Sequence, residues 1–196
     1  MDRELRRATR LTRRVRHGAV LALVGAVAMV AGTAALADAL TGTATITAGS
    51  LAFVSAPANV SFSATLNGTD QTITSNQALD VSDATGSGAG WNITATSTTF
   101  TVGAKTLATT STTLTGAPTT ACDAGSACTL ATTSVGYPYT LPAATTAPTA
   151  TKMFNAAVNT GLGNETATAA WKLAVPSATL AGVYTSTWTI SLVSGP

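Results

Sequence analysis

Side chains that move protons or attack carbon are scarce in this sequence, and where they fall decides what chemistry is open to it. The single histidine, His17, and all seven arginines lie within residues 1–18. Beyond them stand Lys105, Lys152 and Lys172, with the acids Asp38, Asp70, Asp80, Asp83, Asp123 and Glu165. Nucleophiles activated by a histidine base are therefore excluded from the rest of the chain. Paired carboxylates can cleave glycosides, and Asp80 and Asp83 are the pair closest in sequence. They stand ahead of the Gly-rich "ATGSGAG", where aspartate typically accepts hydrogen bonds from the backbone of a turn. The alternative is a calcium ion held by Asp80, Asp83 and the carbonyls of residues 84–88, since calcium takes oxygen ligands; no EF-hand spacing supports it. No Gly-rich phosphate loop opens a helix. The sequence predicts no catalytic residue, no metal and no cofactor, and so a protein that is not an enzyme.

Cys122 and Cys128 are the only cysteines, in "TTACDAGSACTL". A Cys-x5-Cys pair with no histidine or third cysteine cannot complete a zinc site. In an oxidising compartment two cysteines make one pair, and Asp123, Gly125 and Ser126 let the short loop close. A Cys122–Cys128 disulfide is expected.

The compartment follows from the other end of the chain. "MDRELRRATRLTRRVRHG" is a basic lead, followed by the uncharged apolar run "AVLALVGAVAMVAGTAA" and the small-residue site Ala35-Leu36-Ala37. This is the layout of a signal peptide, here residues 1–37, with cleavage before Asp38. The alternative is an uncleaved anchor, for which the apolar run is near the lower length limit. Arg13-Arg14 lacks the apolar residue that usually follows a twin-arginine pair, and no cysteine follows the apolar run to carry lipid. Removing residues 1–37 turns the basic balance of the whole chain, pI ≈ 8.7, into three lysines against six acids, a formal −3. With no arginine left, nucleic acid is not an expected partner. Nor is a membrane expected after cleavage. The internal "LPAAT" at 141–145 lacks what a sortase signal requires and reads as loop.

The elements that would position these residues are strands. Close to a quarter of residues 38–196 are threonine and very few are charged, a composition that suits half-buried pleated surfaces. Strand patterns recur at short intervals, as in a sandwich or barrel. They cover "TATIT" (43–47), "SLAFVS" (50–55), "NVSFSATL" (59–66), "QTITS" (71–75), "ALDVSD" (78–83), "WNITATS", "TFTVG" and "KTLATTSTTLTG". Residues 116–165 are less regular, with short strands near "TSVGYPYTLP" and "MFNAAV". Then "ATAAWKLAVP" (167–176) and "GVYTSTWTISLV" (182–193) read as two strands joined by "SATLA", the last paired inside the sheet. Trp91-x-Ile93 and Trp188-x-Ile190 repeat one pattern, which predicts Trp91 and Trp188 in one core on strands that end close together. Trp171, Tyr184, Phe62 and Phe100 join them as core, or alternatively as an exposed platform for sugar rings.

"GSLAFVSAPANVSF", "ALDVSDATGSGAGWNITA" and "WKLAVPSATLAGVYTSTWTISLVSGP" together resemble WxL-domain surface proteins of Gram-positive bacteria. The matching positions are Asp83, Gly90 and Trp91 in a first motif, and Tyr184 and Trp188 in a second. Isoleucine stands for the motif leucine in both, at Ile93 and Ile190, and Thr85 stands where the family often carries a base. The resemblance covers about residues 47–194. It implies an all-β chain: a single antiparallel β-sandwich domain over 38–196, held non-covalently at the cell surface by peptidoglycan or another wall polymer. Other surface proteins are a further class of partner. Two alternatives stand beside it: a self-assembling surface or pilus-like subunit, whose strand at 40–55 pairs with a neighbouring copy, and a soluble carbohydrate-binding module.

Overall fold

The computed structural model describes residues 41–196. The signal-peptide reading of residues 1–37, with its cut before Asp38, lies outside the described residues. Residues 41–44 are exposed and without regular structure. A compact unit begins at Thr45 and runs to Pro196, and it holds every strand of the described residues.

Among the described residues twelve strands follow one another: β1 (Leu51–Phe53), β2 (Gln71–Asp83), β3 (Trp91–Thr98), β4 (Thr101–Val102), β5 (Lys105–Thr106), β6 (Thr112–Leu114), β7 (Thr119–Cys122), β8 (Tyr139–Thr140), β9 (Ala143–Ala144), β10 (Thr151–Ala156), β11 (Gly163–Val175) and β12 (Trp188–Ser194). There is no helix among the described residues, and hence none long and apolar enough to cross a membrane. One sheet runs β1-β2-β11-β6-β8, with β7 also on β11; the second runs β10-β3-β12, with β9 on β3; β4 and β5 form a small hairpin. All pairs are antiparallel except β3 with β9. The expected all-β antiparallel sandwich is the fold.

Its backbone is the β2–β11 pair, in register over thirteen residues from Gln71↔Val175 to Asp83↔Gly163. Alternation explains it. Gln77, Leu79, Val81 and Asp83 face inward on β2, and Glu165, Ala167, Ala169, Trp171, Leu173 and Val175 on β11. The second sheet supplies Trp91, Ile93, Ala95, Met153 and Phe154 to the same core. Fully burying side chains of this size stabilises by roughly 1.5–3 kcal/mol each.

Several expected elements differ. Residues 43–47 are exposed and form no strand, because no strand lies beside them to pair with. Residues 59–66 are not a strand either. They run beside β2, but side chains replace the ladder: Gln77 Nε2 donates to Ala58 O at 2.7 Å and Gln71 Nε2 to Thr65 O at 2.9 Å. Segments 71–75 and 78–83 are one strand, since odd positions face inward without a break of phase across Ser75–Gln77. Segments 167–176 and 182–193 are two strands, β11 and a shorter β12, and the connection between them crosses from one sheet to the other. Strand β12 is not inside its sheet but at its edge, bonded among the described residues only to β3.

Candidate functional site

The first motif is a joint in the core. Asp83 is buried, and its Oδ1 accepts from Thr85 N at 3.0 Å and Thr85 Oγ1 at 2.6 Å. Thr85 Oγ1 lies 2.9 Å from Ser87 Oγ. This carboxylate therefore ties the turn that leads into β3, the role expected of it. Thr85, in the place of the family's base, completes that turn. Gly90 has φ +76°, and a Cβ there would lie 2.4 Å from Ala156 O, so no other residue fits without displacing backbone. Trp91 and Ile93 are fully buried. The Trp91 indole packs on Phe154 with ring centroids 5.8 Å apart and donates Nε1–H to Gly161 O at 2.9 Å. A Cβ on Gly161 would sit 2.6 Å from that nitrogen.

The second motif straddles inside and outside. Tyr184, Trp188 and Ile190 are half-buried, whereas Thr185, Thr187, Thr189 and Ser191, on the alternate positions, are exposed. Trp188 meets Trp171 edge-on at 5.0 Å and 81°, and Phe100 at 6.4 Å and 73°. Phe62 meets Phe100 at 6.1 Å and 80°. Such T-shaped pairs add about 0.5–1.5 kcal/mol each beyond burial. Trp171 and Trp91 show no surface at all, so neither belongs to a platform for sugar rings. Tyr184 is tethered locally, its hydroxyl donating to Leu180 O at 3.0 Å.

The structure brings the two motifs onto neighbouring strands, with Ala95 opposite Ile190 and Ile93 opposite Leu192. It does not bring the two indoles together. Trp91 lies opposite Ser194, and Trp188 opposite Ser97. Six residues of antiparallel strand separate them, about 20 Å. They share one core from its two ends.

Two surfaces flank the motif strand. On the outer face, Thr185, Thr187, Thr189 and Ser191 make a row of exposed hydroxyls, spaced about 6.6 Å apart by the strand period. On the free edge, a cleft of about 690 Å³ separates residues 184–190 from residues 57–60, with Gln77 and Phe100 in its lining. No lining residue of the cleft is charged.

Three polar groups central to the core escaped the sequence reading of sites. Gln77 is buried, accepts from Trp171 Nε1 at 3.0 Å, and passes its amide N–H to Ala58 O. Asn155 is buried, and its Oδ1 accepts from Ser134 N at 2.8 Å. Glu165 is fully buried; its Oε2 accepts from Ala131 N at 2.9 Å, while Oε1 has no partner among the described residues. Burial holds the Glu165 carboxyl above its usual range, the bond from Ala131 opposes this, and Asp123 adds to it. Inward phase was the available signal, since Glu165 shares its parity with Ala167, Ala169 and Trp171.

Cys122 and Cys128 form the expected disulfide, Cα atoms 5.5 Å apart. It closes a loop whose Asp123 Oδ1 accepts from Thr166 Oγ1 at 2.9 Å. Asp80 lies on the outer face of β2 at the same place, and partial burial with Asp123 nearby raises its carboxyl above the usual range. Among the described residues no three His, Cys, Asp or Glu side chains are grouped to hold a metal.

No curated protein and no solved structure matches the chain. The family model described as "WxL domain surface cell wall-binding" matches residues 40–196, which includes every strand above and both motifs. That is a binding family, not an enzymatic one, and this chain belongs to it.

Proposed function

We propose that the protein is exported and held non-covalently on the peptidoglycan-based wall, through the hydroxyl row on the outer face of its second motif strand. The observation that carries this reading is the family match over residues 40–196. The alternation of Tyr184–Ser191 supports the choice of surface: it turns the aromatic side chains inward and leaves Thr185, Thr187, Thr189 and Ser191 in water. Short hydroxyls lose little rotamer freedom on binding. They can both donate and accept, as the hydroxyls of a glycan do. Of the two contacts open to a glycan, stacking on an aromatic ring and hydrogen bonds from threonine hydroxyls, the hydroxyls are favoured here, because the rings of this region lie edge-on against one another.

The test is a pull-down of the exported protein on purified sacculi, with and without secondary wall polymers, followed by a chaotrope wash. The protein is expected in the bound fraction and is released by the chaotrope. A variant with Thr185→Ala, Thr187→Ala, Thr189→Ala and Ser191→Ala should melt close to the parent, since exposed substitutions typically cost within about 0.5 kcal/mol each. It should bind far less. Equal binding by this variant rejects the hydroxyl row; a parent that stays wholly unbound rejects wall attachment itself.

A further inference from the structure

The edge of β12 away from β3 pairs with no other strand among the described residues. Thr98 N donates to Thr187 O and Gly195 N to Gly90 O. The odd-numbered residues of this segment therefore turn their backbone groups to β3. Ser186, Trp188 and Ile190 turn theirs the other way, into the cleft, and those groups have no backbone partner among the described residues. Across the cleft, residues 57–60 offer no ladder; Ala58 is held by the Gln77 side chain alone. The cleft of about 690 Å³ lies between this edge and those residues.

The chain also carries an alternating sequence that pairs with nothing among the described residues. Residues 41–48, "TGTATITA", are exposed at every position and lie in no strand. Their alternation puts Gly42, Ala44, Ile46 and Ala48 on one side and four threonines on the other. Ile46 is 93% exposed, the most exposed large apolar side chain described.

We infer that residues 41–48 of one copy insert beside β12 of a second copy. Backbone groups of the donor pair with those of Ser186, Trp188 and Ile190, as in strand addition to an open edge. The alternation fits both sides. The small apolar face, with Ile46 as its one large side chain, covers Phe100 and Trp188 at the cleft floor. The threonine face continues outward beside Thr185, Thr187 and Thr189. Neither the segment nor the cleft lining carries a charge, so no ion is desolvated. The chain joins its own sheet where Gly49 N bonds Ala84 O. That is the end of the sandwich where β12 finishes, whereas the cleft opens where β12 begins. Donor and acceptor are different surfaces of one molecule, a heterologous contact, and repetition gives open-ended chains rather than a closed dimer. This inference does not depend on which surface meets the wall.

Sedimentation velocity of the exported protein over a range of concentrations, with hydrogen exchange on the same samples, tests it. Species beyond the dimer are expected to grow with concentration, and the amides of Trp188 and Ile190 to exchange at least about 10-fold more slowly in them. Ile46→Asp, at a position that is exposed in the single copy, should leave the melting temperature unchanged and hold the protein monomeric. A synthetic peptide of residues 41–48 should dissolve the chains, and the same peptide carrying Thr45→Pro should not. Monomers at every concentration overturn the inference. If those amides are already protected in the monomer, the occupant is the molecule's own N-terminal segment; if they are unprotected, the edge stays empty. Chains that persist in Ile46→Asp overturn it as well, and assign assembly to another surface.

Discussion

The two motif tryptophans are chemically alike and physically different. Trp91 is fully buried, with a hydrogen bond to Gly161 O, and its removal leaves both a cavity and an orphaned carbonyl. Trp91→Ala should cost about 3–5 kcal/mol. Trp188 is half-buried against Trp171 and Phe100 at the cleft, so part of its volume is replaced by water, and Trp188→Ala should cost less, about 2 kcal/mol. Urea denaturation of both variants checks the order; equal losses would mean that the cleft is closed in solution. Glu165 sets the pH response. Its carboxyl titrates higher in the folded chain than in the unfolded one because burial disfavours the charge. The folded state therefore holds the proton more tightly. Stability is fully present below the ordinary glutamate range, about pH 4, and is lost as pH rises through the raised value. Glu165→Gln keeps an acceptor for Ala131 N and removes the titration. Its melting temperature should match the parent at acid pH and exceed it increasingly toward pH 8. A constant offset across that range would show that the buried carboxyl does not titrate.

Among the elements, β7 depends most on a covalent tie. It is four residues long and pairs with β11 only, from Glu165↔Cys122 to Thr168↔Thr119. The Cys122–Cys128 bridge holds its end against that register. For a loop of this size the constraint on the unfolded chain is worth about 2 kcal/mol. Reduction should lower the melting temperature by several degrees while leaving the β2–β11 pair intact. Thermal melts with and without reductant, together with amide exchange along β11, check this. Long strands were legible in the sequence because a thirteen-residue alternation has few competing readings. Residues 59–66 were not legible as irregular, because their alternation is as good as that of β2. What distinguishes them is that Gln77 and Gln71 take the place of backbone partners, a feature of the neighbouring strand rather than of the segment itself.

At the scale of the whole molecule, the formal −3 of residues 38–196 and the uncharged motif surface decide how attachment should respond to salt. Exposed charges are screened within about 8–10 Å at physiological ionic strength. Binding built on hydroxyls should therefore be unchanged between low salt and roughly 0.5 M, where the Debye length is only a few ångströms. Sacculus binding across a salt series measures this; a steep loss would assign the contact to Lys105, Lys152 or Lys172 instead. The same lack of charge leaves the β12 edge without the usual guard against pairing, since edge strands are typically blunted by charges or proline. An edge kept open and uncharged, in a chain with an unpaired alternating segment at residues 41–48, is the basis of the proposed assembly of copies.

The sequence by itself determined the composition-driven outcomes. Alternating threonine and apolar residues impose strands, two cysteines in a short polar loop impose one bridge, and the absence of histidine and arginine beyond residue 18 excludes whole classes of chemistry. These depend on residue type and local spacing alone. It also located both motifs, because Trp-x-Ile within an alternating run is visible without partners. The tertiary structure alone decided which strand lies beside which. The last strand reads as paired inside a sheet, yet β12 stands at an edge, and the packing of Trp188 on Trp171 is made across two sheets. Whether a strand is central or at an edge depends on its neighbours, and β12 is an edge because residues 57–60 lie across a cleft from it and do not pair with it. Partnership is a long-range property, so the cleft, the free backbone groups of Trp188 and Ile190, and the buried carboxyl of Glu165 could only appear once the sheets were assembled.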